Sequence, residues 1–298
     1  MTKKPLLFGV AFALLNALML AGMGLFVKKL SGYFGPFEIT FFRNIFAAIA
    51  LFLIFVFMGR LAWLKTDKPW MHLFRGTIGT IGIVLGAFAL SMMPLAEVTV
   101  LLFTSPLFTV LLSYPVLGER VGPYRLSAVA LGFLGVMVMV NPFGDGGMHI
   151  PLIGLLVGLG WGFSSGMVDI WLRKMGRTEN PNTTTFYFAL FGTLATGLHW
   201  PWAVVQADSF SMPALLLILG LGVTGLIALL AKTHSYRLGE AAVIAPMMYT
   251  MIIWSMLFDY LFWGKVTTMN VIAGAGIIIA CNLFILYREI RLKKIPAL

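Results

Sequence analysis

Charge is scarce in this sequence. Of 298 residues, 11% are charged and 60% are hydrophobic. No water-soluble core hides that much apolar surface, so the bilayer is the expected solvent. Acids are fewer than bases, 11 against 21, for a formal charge of +10. A nucleic-acid binder would gather those bases on one groove-facing surface, whereas here they are scattered over short loops, so nucleic acid is not an expected partner. Cysteine occurs once, as Cys281 in the last apolar run, which excludes a disulfide framework and a cysteine-based metal site. The four histidines, His72, His149, His199 and His234, stand near the ends of apolar runs and cannot meet as a metal cluster on one helix. There is no His-Glu-x-x-His, no Gly-x-Ser-x-Gly and no pair of mid-span acids, so an intramembrane enzyme is not expected. Nothing supplies the ring of like groups that a channel uses. No nucleotide-binding loop is present, so this chain alone would not be driven by ATP, and neither cofactor nor metal is expected. No loop exceeds about a dozen residues, too short for a separate soluble domain.

Long apolar runs are what the sequence has in abundance. They are about 20 residues long, the length of a helix across hydrocarbon and twice that of a barrel strand. Ten runs are expected to cross, at 6–27, 37–58, 72–92, 95–116, 124–141, 151–172, 184–205, 212–232, 240–263 and 268–287. Lys3 and Lys4 before the first run resemble a signal peptide, but that run is too long and many others follow it. Only Met93 and Pro94 separate the third run from the fourth, which requires a tight hairpin there.

Even crossings put both termini on one face. That face collects the Lys and Arg of the N-terminus, of 59–71, of 173–183 and of the C-terminus, with Arg75, Arg120, Arg125, Lys232 and Arg237 counted there too. The opposite face keeps Lys28, Lys29 and Lys265, and Arg43 stands within a span. Positive charge stays in the cytoplasm, so both termini are expected to be cytoplasmic. Leu95-Ala96-Glu97 opens the fourth run as Leu238-Gly239-Glu240 opens the ninth, and Leu117-Gly118 closes the fourth as Trp263-Gly264 closes the ninth. The reading is an all-α polytopic membrane protein of ten transmembrane helices. They form two five-helix halves, 1–145 and 146–298, and an odd number of spans per half makes the second inverted relative to the first.

The segments Phe41-Phe42-Arg43-Asn44, Pro94-Leu95-Ala96-Glu97-Val98-Thr99, Ser105-Pro106-Leu107-Phe108 and Leu117-Gly118-Glu119-Arg120 carry a resemblance over nearly the whole chain. The layout resembles the drug/metabolite transporter superfamily and its ten-helix EamA-like branch. That resemblance implies alternating-access carriage of small metabolites, often outward, including amino acids, nucleotide-like compounds, vitamins and drugs. The first half is similar to a subgroup with carriers of S-adenosylmethionine and riboflavin and with amino-acid exporters. Gly264-Lys265 departs from the family pattern, which has an acid after the ninth helix.

Depth selects candidate binding residues. At about 1.5 Å per residue, Asn16, Ser105, Pro106, Trp161 to Ser165 and Tyr249 to Trp254 fall near the midplane. Trp161, Tyr249 and Trp254 would form an aromatic wall, with Asn16, Thr104, Ser105, Ser164 and Ser165 as donors and acceptors. The competing use is core filling and bonds back to the same helix. Pro106 and Pro246 each remove a mid-span backbone bond and free carbonyls. Arg43 has three uses: snorkelling outward, pairing with Glu97 or Asp259, or gripping a substrate carboxylate. Glu97, Glu240 and Asp259 stand near span ends as gating or ion-pair residues, and Asp169 has Arg173 four residues on as a helical partner. No carboxylate occupies the midplane, so obligate proton coupling is not expected. Glycines at 154, 158, 162 and 166, and at 76, 79, 82 and 86, form stripes that serve as static or sliding seams. The expected function is secondary transport of an amino acid or similar amphipathic solute across the inner membrane, in the outward direction. Carriage of S-adenosylmethionine or riboflavin is the alternative. The expected partners are that small molecule and the lipid bilayer, with the chain a monomer or homodimer.

Overall fold

The computed structural model describes residues 3–118, 121–142, 150–175, 179–199, 210–238 and 241–293. Among these residues all regular structure is helical, as hydrocarbon demands of a chain whose peptide groups must bond within it. The helices are α1 (Lys3–Leu30), α2 (Pro36–Phe57), α3 (Pro69–Met92), α4 (Leu95–Leu102), α5 (Ser105–Leu117) and α6 (Pro123–Val140). They continue with α7 (Leu152–Met175), α8 (Pro181–His199), α9 (Met212–Leu238), α10 (Ala241–Met247), α11 (Thr250–Trp263) and α12 (Met269–Lys293). Proline opens α2, α3, α6 and α8, where the first turn has no use for the missing N–H. Among the described residues, 9 helical segments are long and apolar enough to cross a membrane. α4 and α5 form one of these segments, and the chain from Val243 through α11 forms another. α8 opens on Asn182 and three threonines, and the remainder of its expected span, 200–205, lies outside the described residues.

The two prolines within spans explain two departures from straight helices. α4 stops before Pro106 and α5 restarts at Ser105, while α10 contains Pro246 and gives way to α11 at Thr250. The carbonyls at these breaks are taken by the protein itself. Thr104 Oγ1 donates to the Leu101 carbonyl and Thr250 Oγ1 to that of Met247, each at 2.6 Å. Asn282 Nδ2 donates to the Phe103 carbonyl at 2.9 Å. Both α5 and α11 end on a glycine in the left-handed region, Gly118 at φ 69° and Gly264 at φ 61°, a conformation that costs side-chain-bearing residues.

Without water between helices to expel, the spans pack by close approach of small residues. α1 runs antiparallel to α9, with Gly22 against Thr224 and Phe26 over Gly220. α3 runs antiparallel to α7, with Gly86 beneath Trp161 and the Trp171 indole donating to the Met71 carbonyl at 3.1 Å. α2 packs on α8, and α6 on α12. On α7, Gly158 receives Leu101, Gly162 receives Thr104, and a Cβ on Gly166 would lie 2.8 Å from the Ser105 carbonyl. That stripe is an interlocked seam. Leu101 and Leu107 are wholly buried, so truncating either to alanine costs about 2–5 kcal/mol.

One placement corrects the sequence reading. Arg75 was counted with the cytoplasmic loops, yet it lies inside α3, roughly 9 Å in from Pro69. Arg43 is therefore not alone as a basic residue within a span.

Candidate functional site

Between the packed pairs, α1, α2, α3, α4, α7, α8, α9 and α11 leave a cavity of about 340 Å³. Its α3 wall exists by omission. Gly79, Gly82 and Gly86 line it without side chains, so the α7 residues Trp161 and Ser164 come up against bare backbone. Trp161, Phe188, Leu20 and Val98 give apolar surface, and Thr40, Thr99, Ser164 and Ser165 add a few hydroxyls. Apolar walls with sparse polar anchors are the usual make-up of a small-molecule site.

Four charged side chains reach this cavity, one each from α2, α3, α7 and α9: Arg43, Arg75, Asp169 and Lys232. Nη1 of Arg43, and Nε and Nη1 of Arg75, are buried and have no hydrogen-bond partner among the described residues. The Arg75 guanidinium lies 3.8 Å over the Phe188 ring. Asp169 Oδ2 accepts from Ser105 Oγ at 3.3 Å. Arg75 is within electrostatic reach of both Arg43 and Asp169, and Asp169 of Lys232.

The two ends of the cavity differ. At one end Ile39, Leu90, Leu95 and Val98 are buried. A knot of bonds seals that end, because both carboxylate oxygens of Asp259 cap the start of α4. Leu95 N–H donates to Oδ1 at 3.0 Å and Ala96 N–H to Oδ2 at 2.8 Å. Lys28 reaches Asp259 Oδ1 at 3.4 Å and the Met93 carbonyl at 3.0 Å. Thr99 and Ser255 join by their hydroxyls at 2.9 Å one turn deeper. At the other end the lining residues Asp169 and Lys232 are exposed.

Of the candidate binding residues, Arg43, Trp161, Ser164 and Ser165 line the cavity, and Ser105 meets its edge through Asp169. Asn16, Thr104, Pro106, Tyr249 and Trp254 lie outside it. Asn16 Nδ2 donates to Met248 Sδ at 3.0 Å, and the Tyr249 ring packs on Phe103 with centroids 5.0 Å apart. Thr104 and Pro106 form the helix break, and Trp254 packs against Ala17, Ala21 and Met251. These five therefore face other helices and not the cavity. Glu97 sits in the first turn of α4, within electrostatic reach of Lys265, Asp259 and Lys28. Glu240 and the Arg173 side chain lie outside the described residues. Asp259 engages Lys28 and the start of α4, not Arg43. Sequence reasoning missed Arg75 and Lys232 by assigning both to loops. The signal was present, since Arg75 shares a helical face with Gly79, Gly82 and Gly86 at spacings of four, seven and eleven.

The sequence profile of the EamA-like transporter family matches this chain twice, at residues 7–141 and 152–287. A riboflavin transporter of Rhizobium johnstonii is 30% identical over 295 residues, covering 98% of this chain and 92% of its own length. An S-adenosylmethionine uptake transporter of Rickettsia prowazekii is 29% identical, covering 96% of this chain and 95% of its own. The pseudopaline exporter CntI of Pseudomonas aeruginosa is 29% identical, covering 92% and 94% respectively. Apolar spans and bacterial relatives of this kind make the protein a multi-pass component of a bacterial inner membrane. With two matches that together take in nearly every residue, the chain belongs to the EamA-like transporter family of the drug/metabolite transporter superfamily.

Proposed function

We propose that the protein is a secondary transporter that moves a small organic metabolite across the inner membrane by alternating access, with the cavity as its binding chamber. One observation carries this reading: the chamber is sealed by Asp259 and Lys28 at one end and has exposed charged residues at the other. A carrier needs such a one-sided chamber, along with a second arrangement in which the seal has moved. The reading includes ten spans in two inverted halves, 1–145 and 146–298. The double family match supports it. So does the correspondence of the broken segments, each carrying a proline and ending on a left-handed glycine. Helix pairing has the same exchange symmetry, because α1 packs on α9 as α3 packs on α7.

With both termini cytoplasmic, as the Lys and Arg distribution suggests, the exposed end of the chamber faces the cytoplasm. Loading from that side fits export of an amino acid or a similarly amphipathic solute. A second reading, import or exchange of a nucleotide-like metabolite or vitamin, is favoured by the riboflavin and S-adenosylmethionine transporters among the relatives. Counterflow in liposomes, with aromatic and aliphatic amino acids, S-adenosylmethionine, riboflavin and choline, tests the function. Saturable exchange of at least one solute is expected, and none with correctly folded protein overturns the reading. Accessibility labelling that puts the two termini on opposite faces overturns the topology.

A further inference from the structure

We propose that the chamber selects organic anions and holds a carboxylate or phosphate group between Arg43 and Arg75. The inference rests on the cavity being the transport site, and narrows what enters it.

The chamber holds buried charges without hydrogen-bond partners among the described residues. Arg43, Arg75 and Lys232 line the cavity against a single acid, Asp169. The other acids near the spans are committed elsewhere. Asp259 is bound by Lys28 and two backbone amides. Glu97 neighbours Lys265 at the sealed end. Glu179 Oε2 meets His72 Nε2 at 3.0 Å and takes the Thr66 hydroxyl at the same distance. Glu38 folds back over Gly35 in its own turn. None of these four acids is thus left to neutralise Arg43. Asp169 is within electrostatic reach of Arg75 but is shared with Lys232 and Ser105.

Three guanidinium nitrogens are buried there without an acceptor. A buried donor costs free energy until it finds a partner, and a charged one costs more. A guanidinium fork matches the paired oxygens of a carboxylate or phosphate, which an ammonium does not. The Phe188 ring centroid lies 3.8 Å from the centre of the Arg75 guanidinium and helps hold it in place. Arg43 and Arg75 stand within each other's field, so an anion between them also relieves their mutual repulsion. Trp161 and the glycine wall leave room beside them for an apolar or flat body. A cation such as choline meets a surplus of positive charge instead.

The test uses reconstituted full-length protein and counterflow of solutes matched in shape but not in charge. Phenylpyruvate, phenylalanine and phenethylamine form one series. Glutamate, citrate, glucose 6-phosphate and uridine monophosphate extend the anions, with choline, S-adenosylmethionine and riboflavin as non-anions. At least one anion is expected to exchange, and the non-anions to exchange less than a tenth as fast. Arg43→Gln and Arg75→Gln should each raise the half-saturation for that anion at least about tenfold, with Arg43→Lys and Arg75→Lys falling between. Both Gln variants should melt no lower than wild type without solute, because each removes an unpartnered buried charge. The anion should raise the melting temperature of wild type and leave that of the Gln variants unchanged. A zwitterion, neutral solute or cation carried in preference to every anion overturns the proposal and leaves the transporter reading standing. Wild-type half-saturation in both Gln variants overturns it as well. No exchange of any solute overturns both.

Discussion

Replacing Asp259 with asparagine strikes the seal of the chamber at its most connected point. The carboxylate accepts the Leu95 and Ala96 amides at 3.0 and 2.8 Å and faces Lys28 at 3.4 Å. Hydrogen bonds to a charged partner contribute about 1.5–3 kcal/mol each. Asparagine keeps one acceptor oxygen and no charge, so one amide bond goes, a second weakens and Lys28 loses its counter-ion. The loss to the sealed arrangement is therefore about 2–4 kcal/mol, and each 1.4 kcal/mol is about tenfold in the ratio of open to sealed states. The chain has one cysteine, the buried Cys281, so a Cys281→Ala background with Val98→Cys gives a reporter on the cavity wall near the seal. A membrane-impermeant maleimide applied from the periplasmic side should label this reporter at least about tenfold faster when Asp259→Asn is added. An unchanged rate, with an unchanged melting temperature, refutes the seal.

Other expectations follow from the same geometry. Trp161→Ala should change half-saturation more than melting temperature, since the ring lines the chamber. Tyr249→Ala should do the reverse, since its ring packs on Phe103 away from it; thermal melts beside flux curves separate the two. Gly86→Ala drives a methyl group to within 2.6–2.9 Å of the Trp161 ring, and should cost about 1–3 kcal/mol and lower flux. Gly118→Ala and Gly264→Ala, both at left-handed positions, should each cost about 1 kcal/mol in a denaturation assay. Asn282→Leu strands the Phe103 carbonyl at the helix break and should cost about 1–3 kcal/mol by the same assay.

The all-helical class could be read from the sequence because hydrocarbon leaves few options. Run length alone calls for helices, and prolines at 36, 69, 123 and 181 mark where four of them start. The breaks at Pro106 and Pro246 were readable as lost backbone bonds, but not as separate helices closed by Thr104 and Thr250. The site was harder, because binding depends on azimuth as well as depth. Residue counting sets Trp161 and Tyr249 both near mid-span, yet of the two only Trp161 lines the cavity. Arg75 and Lys232 were hidden by counting charge for orientation, which treats every basic residue near a span end as loop. The Asp259 cap on α4 joins residues 163 and 164 positions apart, a pairing that no local pattern encodes.

The bare face of α3 at Gly79, Gly82 and Gly86 gives the chamber a calibre defined by hydrogen atoms. A single-nucleotide change there, glycine to alanine, would set a methyl against Phe188, Ser164 or Trp161. At 82 and 86 the loops, seal and charged grip would be left as inherited, whereas at 79 the methyl would also meet Arg75 Nη1. Lineages built on this scaffold can thus retune their cargo by narrowing a single surface, one carbon at a time.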